Sequence, residues 1–346
     1  MLTEAQLDDA LSTPSAADVA AMAALPGDLL ILGASGKMGP SLARLAHRAS
    51  RQAGTPRRII GAARFSQGGV RPALEQDGIE TISCDLLDRA AVEGLPDCPN
   101  VIFMVGQKFG TTGNQALTWA VNTQIPALVA DRFRGARIVA FSTGNVYPLV
   151  QVGRAGRRPE RSEGSTEQDT PAPVGEYAQS ALARERVLQD CSRRNGTPMA
   201  ILRLNYAVEL RYGVLRDLAD AIAARRPIPL AMGHVNVIWQ RDANSVALRA
   251  LAHCASPPLV LNVTGPENLA VRAIARRLGR RLGIEPEFLG TEGDTALLSD
   301  AGVCRALFGP PLVSADQAAD WVAGWVKAGG PSLGKPTHFE VQTGEF

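Results

Sequence analysis

The chain has 346 residues, 45% of them hydrophobic and 20% charged, with a formal net charge of +2. That is apolar material for one large core or two unequal lobes, and it excludes a disordered chain. A charge so near zero, without a basic stripe interleaved with aromatics, argues against nucleic acid as an obligatory partner; no apolar run of about 18 residues offers itself to a membrane.

Residues 1–27 hold two helix-like segments, TEAQLDDAL and SAADVAAMAAL, each opened by a polar residue suited to a cap. They read as an N-terminal arm covering either the sheet or a partner subunit. The arm lacks the charged, apolar, small-residue order of a secretion signal, so a cytoplasmic protein is expected. Cys84, Cys98, Cys191, Cys254 and Cys304 are scattered without a CxxC pair and are expected to be reduced, mostly buried thiols. His47, His234, His253 and His338 lie far apart, and no metal site is expected.

The stretch LLILGASGKMG, Leu29 to Gly39, organises the rest of the chain. An apolar run ends at Gly33, glycines recur at Gly36 and Gly39, and SLARLAHRA continues as an amphipathic helix. A backbone bare of side chains can approach a pyrophosphate, whose charge is met by free amides and the positive end of the helix. The spacing is GxxGxxG, not GxGxxG, and an ordinary strand-to-helix turn is the competing reading. The buried strand before it and the helix after it favour a phosphate loop.

RRIIGAARF, Arg57 to Phe65, is the second strand, with Arg64 at its end. In a dinucleotide fold that end lies beside the adenosine ribose, where an acid would bind the 2′-hydroxyl and an arginine accommodates a 2′-phosphate. Arg64 therefore favours NADP(H), with NAD(H) the alternative and a plain surface arginine the competing reading. IETISCDLLD gives the third strand; Asp85 at its end, followed by Leu86, either accepts from the adenine amino group or caps the next helix. NVIFMVG, Asn100 to Gly106, is apolar throughout, as a strand covered on both faces should be, and it empties into QKFGTTGNQ.

After a helix with Trp119 and Asn122, the strand RIVAFST ends in Ser142 and Thr143, at the sheet edge where ligand chemistry gathers. Residues 151–175, including the basic cluster Arg154 to Arg161, form a polar flap or loop. EYAQSALARERVLQDCSRR is a helix bearing Tyr177, and MAILRLN is a strand. Beyond it come an amphipathic helix in RYGVLRDLADAIAARRPIPL, a short strand and a helix begun by Asp242, the strand PLVLNVTGP and the helix VRAIARRLGRRLG. The expected fold is α/β, a doubly wound parallel sheet of the Rossmann kind with a smaller C-terminal substrate lobe. Its parts are an arm at 1–27, a dinucleotide-binding domain at 28–205, and a substrate lobe at 206–346 with a returning strand near 259–264. The tail GKPTHFEVQTGEF is expected to lie across the surface.

In this order and spacing, GASGKMG, Asp85, FSTGNVYP, and Tyr177 with Ser180 and Glu185 resemble the extended short-chain dehydrogenase/reductases. The likeness is closer to their NAD-dependent epimerase/dehydratase branch and covers roughly residues 28 to 285. It implies hydride transfer at a hydroxyl or carbonyl carbon of a small, carbohydrate-like substrate, a nicotinamide cofactor, and a homodimer through the helix bearing Tyr177. It also assigns positions. Gly33, Gly36 and Gly39 fall in the phosphate loop with Ser35, Lys37 and Met38, and Val105 and Gly106 fall beside the nicotinamide ribose. Thr143 matches the hydroxyl that holds the substrate oxygen, and Tyr177 matches the acid/base tyrosine. Gln107, Lys108, Asn145 and Asn205 stand at the same edge as candidate substrate contacts, and Tyr147 packs under the turn after Thr143.

The family pattern is YxxxK, and here the fourth residue after Tyr177 is Ala181. A tyrosine hydroxyl ionises near pKa ~10, so serving as a base near neutrality asks for a depression of about three units, roughly 4 kcal/mol. A lysine one helical turn away would supply much of it as an opposite charge. Three accounts stay open. Lys108 or Arg184 substitutes; or Tyr177 acts as a neutral acid in a reduction; or the chain is a catalytically silent dinucleotide-binding module reporting cofactor state to a partner.

Overall fold

The computed structural model describes residues 3–66, 68–108, 113–152 and 164–344. Seven parallel strands form the central sheet: β1 (Leu29–Leu32), β2 (Ile59–Ala63), β3 (Glu80–Ser83), β4 (Asn100–Phe103), β5 (Arg137–Thr143), β6 (Met199–Leu204) and β7 (Leu259–Val263). Their spatial order is β7-β6-β5-β4-β1-β2-β3. Every residue of β1, β2 and β4 is buried, which a strand achieves only when helices cover both faces of its sheet. One face carries α2 (Ala16–Ala24), α3 (Gly39–Gln52), α4 (Val70–Gln76) and α10 (Gln240–Ala250). The other carries α5 (Arg89–Glu93), α7 (Ile125–Arg132) and α8 (Gly175–Asn195). The order of strands reverses between β1 and β4, so the loops leaving those two strands part and open a crevice at their C-terminal ends.

A second core lies beside the sheet, built from α9 (Val214–Ala223), α11 (Val271–Leu282) and α13 (Ala315–Lys327). It also takes Leu7 and Leu11, from and just beyond α1 (Glu4–Ala10), and Phe339 from the tail. The N-terminal arm therefore covers its own chain. Met22 enters the main core, and the buried Asp18 accepts from Arg241 Nη2 at 2.6 Å and from the Ser245 hydroxyl. The tail crosses the surface as expected, but it sinks two side chains, Thr337 and Phe339, 2% and 5% exposed, because Asp217 and the second core receive them. Residues 153–163 of the expected flap, with Arg154 to Arg161, and residues 109–112 of the loop after β4 lie outside the described residues. All five cysteines are free thiols, four of them buried.

Candidate active site

The glycines of the first turn are dictated by crowding. Gly33 has φ +90°, a left-handed conformation that L side chains rarely adopt, and a Cβ there would crowd Val105 Cγ2 at 3.1 Å. A Cβ on Gly39 would stand 2.4 Å from the Ala34 carbonyl oxygen, so only glycine lets α3 start directly on the loop. Pro40, fixed at a helical φ, opens the helix. Two clefts flank this loop. One, about 200 Å³, is bordered by Ser35, Arg64, Asp85, Leu86 and Val105; the other, about 270 Å³, by Lys37, Lys108, Thr143, Asn145, Tyr177 and Asn205. Gly33, Gly36, Met104 and Gly106 border both, and Met38 and Gly39 border the second.

In the second cleft Tyr177 and Thr143 stand together, the Thr143 hydroxyl near enough to favour the Tyr177 phenolate, and Thr143 Oγ1 accepts from the Asn145 amide at 3.1 Å. Burial pushes the Tyr177 phenol above its ordinary value, while Thr143 and the charge of Arg184 pull it back. Arg184 is 5% exposed; it donates to the Phe141 carbonyl at 3.0 Å and to Asn122 Oδ1. Its Nε is buried without a hydrogen-bond partner among the described residues. Ala181 is fully buried, packed with Val146 and Tyr147. The Lys108 ammonium stands 6.0 Å above the Tyr177 ring and donates to the Thr337 carbonyl at 3.3 Å; burial pulls it down to about 8.

Lys37 reaches away from the loop. Its ammonium donates to the Ala207 carbonyl at 2.8 Å and lies 3.9 Å over the Tyr212 ring, and burial, opposed by Glu209, pulls it down to about 7.

Tyr177 is held in place from behind. Ser142 donates to Glu185 at 2.5 Å, Glu185 pairs with Arg203 at 2.7 Å, and Arg203 donates to the Tyr147 hydroxyl at 2.6 Å, which donates to Asn262 at 2.9 Å. This buried chain ties α8 to β5, β6 and β7, and it gives Tyr147 a bracing position outside the cleft. On the other side, the helix running from α6 (Gln115–Trp119) to α7 widens into a π-turn at Ala120–Gln124. Asn122 on that turn grips the main chain of Gln107 and donates to Ser180 Oγ at 2.8 Å. Gln107, a predicted substrate contact, is not among the lining residues of either cleft, because Asn122 holds its backbone as part of the wall. Asp85 does not cap the next helix: it accepts from the Leu87 amide at 3.0 Å, and Asp88 caps α5. Tyr206, Tyr212 and Thr337 line the second cleft unannounced. Only the aromatic pair in NYAVELRY, just past Asn205, was available as a signal. Among the described residues no three His, Cys, Asp or Glu side chains are grouped to hold a metal.

A larger cavity, about 820 Å³, opens between α10 and α12 (Gly302–Phe308) and holds none of the predicted site residues. Of its three arginines, Arg241 is engaged by Asp18 and Asp242, and Arg249 by the Phe308 carbonyl.

The sequence model of the NAD dependent epimerase/dehydratase family matches residues 29–231. No curated protein matches the sequence. Among solved structures, UDP-glucuronic acid 4-epimerase from Bacillus cereus, in complex with UDP-glucuronic acid and NAD, aligns over 87% of this chain and 99% of its own, with 16% identity and a TM-score of 0.69. The UDP-Glc/GlcNAc 4-epimerase of Campylobacter jejuni aligns over 88% and 100%, with 19% identity and a TM-score of 0.69. dTDP-glucose 4,6-dehydratase from Bacillus anthracis, in complex with NAD, aligns over 88% and 97%, with 14% identity and a TM-score of 0.69. At such identities the likeness is one of fold.

Proposed function

The chain belongs to the NAD dependent epimerase/dehydratase family, and from that premise we propose that it moves a hydride between a nicotinamide dinucleotide and a hydroxyl- or carbonyl-bearing carbon of a sugar nucleotide. The observation that carries this reading is the meeting of Tyr177 and Thr143 in a cleft bordered by the glycine loop. Residues 28–205 bind the dinucleotide, 206–346 enclose the sugar, and 1–27 brace both.

The cradle fits the cofactor: no Cβ obstructs the backbone at Gly33, Gly36 or Gly39, and the start of α3 lies directly behind it. Ser35 and Met38 flank the phosphates, Val105 and Gly106 the nicotinamide ribose, and Asp85 and Leu86 the adenine. When bound, the nicotinamide supplies the hydride donor or acceptor. Arg64, exposed on the rim of the smaller cleft, supports NADP(H) over NAD(H).

Thr143 and Asn145 hold the substrate oxygen, while Asn205 and Lys108 border the sugar. Burial keeps the Tyr177 phenol protonated at neutral pH, so it is set to give a proton to an oxygen as a carbonyl is reduced. In the opposite direction it must first lose that proton.

The test is a panel of UDP- and dTDP-sugars followed by nicotinamide absorbance. Tyr177→Phe is expected to lower kcat by about 10²–10⁴-fold. Undiminished turnover removes the acid/base role, and no turnover by the wild type across the panel favours the silent dinucleotide-binding module. Arg64→Asp is expected to weaken NADP(H) far more than NAD(H); equal loss of both shows that Arg64 does not read a 2′-phosphate.

A further inference from the structure

Tyr177, Ala181 and Arg184 share one face of α8, since residues four and seven apart return to nearly the same side of a helix. Helical side chains lean toward the N-terminus, so a long side chain at 184 runs back over the turn holding 181 and toward Tyr177. Ala181 leaves that path clear. The guanidinium ends against the loop after β4: a Cβ on Gly106 would lie 2.5 Å from Arg184 Nη2. Phe141 and Asn122 fix two of its nitrogens, and Nε remains a buried donor with no partner among the described residues. Leaving such a donor unmade is costly, a cost that a bound acceptor would remove.

We propose that Arg184 is the cation of this active site, reaching from two turns along α8 to do from position 184 what no side chain at 181 can do. Its charge favours the ionised form of Tyr177, and its guanidinium donates to hydroxyl oxygens of the cofactor's nicotinamide-side ribose beside Gly106. Gly106 is bare because the guanidinium occupies the space of its side chain. Lys108 faces the Tyr177 ring and is held by the Thr337 carbonyl, so it serves the substrate side of the cleft. The other titratable groups facing Tyr177 are Tyr206 and Tyr212, with Lys37 across the same cleft; Glu185 lies behind Arg184 in its own pair with Arg203.

This inference rests on Tyr177 as the acid/base group beside a bound dinucleotide, and the experiment separates the two. Dinucleotide affinity is measured by calorimetry. Ionisation of Tyr177 is measured by ultraviolet difference titration against Tyr177→Phe, with and without dinucleotide. A wild type that binds neither dinucleotide sinks both the proposed function and the inference. If it binds, Arg184→Gln, which keeps hydrogen bonds but removes the charge, is expected to raise the Tyr177 midpoint by about 1–3 units and to weaken dinucleotide binding about tenfold. Arg184→Lys, which keeps the charge on a shorter stem, is expected to leave the midpoint nearly in place while binding still weakens. Unaltered titration and affinity in Arg184→Gln, with only the unfolding temperature lowered, would make Arg184 a structural clasp and overturn the inference. Should Arg184→Gln not fold, Arg184→Lys decides alone: wild-type affinity overturns the ribose contact, and a midpoint raised as far as neutralisation would raise it overturns the charge role.

Discussion

Lys37 sits in a loop that binds phosphate through its backbone, yet its ammonium crosses to Ala207 and the Tyr212 ring, where burial brings it down to about 7. A lysine poised there is charged below neutrality and largely uncharged one unit above it. An anion attracts only the charged form, so affinity for the diphosphate that Lys37 meets should fall up to about tenfold between roughly pH 7 and pH 8, with proton uptake on binding. Calorimetry with NADP(H) and with UDP, in buffers of different ionisation enthalpy, identifies which diphosphate that is. Lys37→Met should flatten the slope, whereas Lys108, which titrates near 8 in the same cleft, should leave a residual slope at higher pH. No slope with either ligand, or an unchanged slope in Lys37→Met, removes Lys37 from phosphate recognition. Stability moves the other way. The folded chain binds this proton more weakly than the unfolded one, so the lysine's contribution to stability rises with pH from about 7 toward its ordinary value of 10.5.

At the scale of elements, what the sequence made legible is what local crowding or burial dictates. β5 runs Arg137–Thr143, as RIVAFST reads, because an apolar run from Ile138 to Phe141 ending in two hydroxyls fits a parallel strand covered on both faces with its end at the ligand edge. The third glycine could be foreseen for the same kind of reason, a backbone contact that tolerates no Cβ. Tyr177 and Thr143, 34 residues apart in the chain, meet because each ends or opens an element at the same sheet edge. Three features escaped. Asn122 acts through a π-turn, which has no compositional mark, so its clasp on Gln107 could not be read from a helical pattern. Asp85 and Asp88 are both plausible caps three residues apart, and the short β3–α5 connection decided between them. The cation was a choice between Lys108 and Arg184, since helical spacing gives a direction but not the depth to which a long side chain reaches.

At the scale of the whole molecule, the tail closes the cleft that the two cores leave between them. Thr337 donates its amide and hydroxyl to Asp217 of α9 at 2.8 and 2.6 Å, and its carbonyl accepts from Lys108 of the sheet side. Gln342 donates to the Ala231 carbonyl at 3.0 Å, and Phe339 anchors the segment in the second core. One anchor thus sets the position of a residue that lines the cleft, while the glycine loop and Arg64 stand on elements the tail does not build. Phe339→Ala should therefore cost about 3–5 kcal/mol of stability, read as a lower thermal midpoint, because a buried aromatic leaves a cavity the second core cannot fill by collapse. Binding should split along the same line. Dinucleotide affinity should stay within about twofold of wild type, whereas KM for the sugar nucleotide should rise about tenfold as Thr337 loosens, the equivalent of one or two lost hydrogen bonds. A variant that loses dinucleotide affinity as steeply as substrate affinity would mean that the tail supports the whole fold and does not close one side of the site.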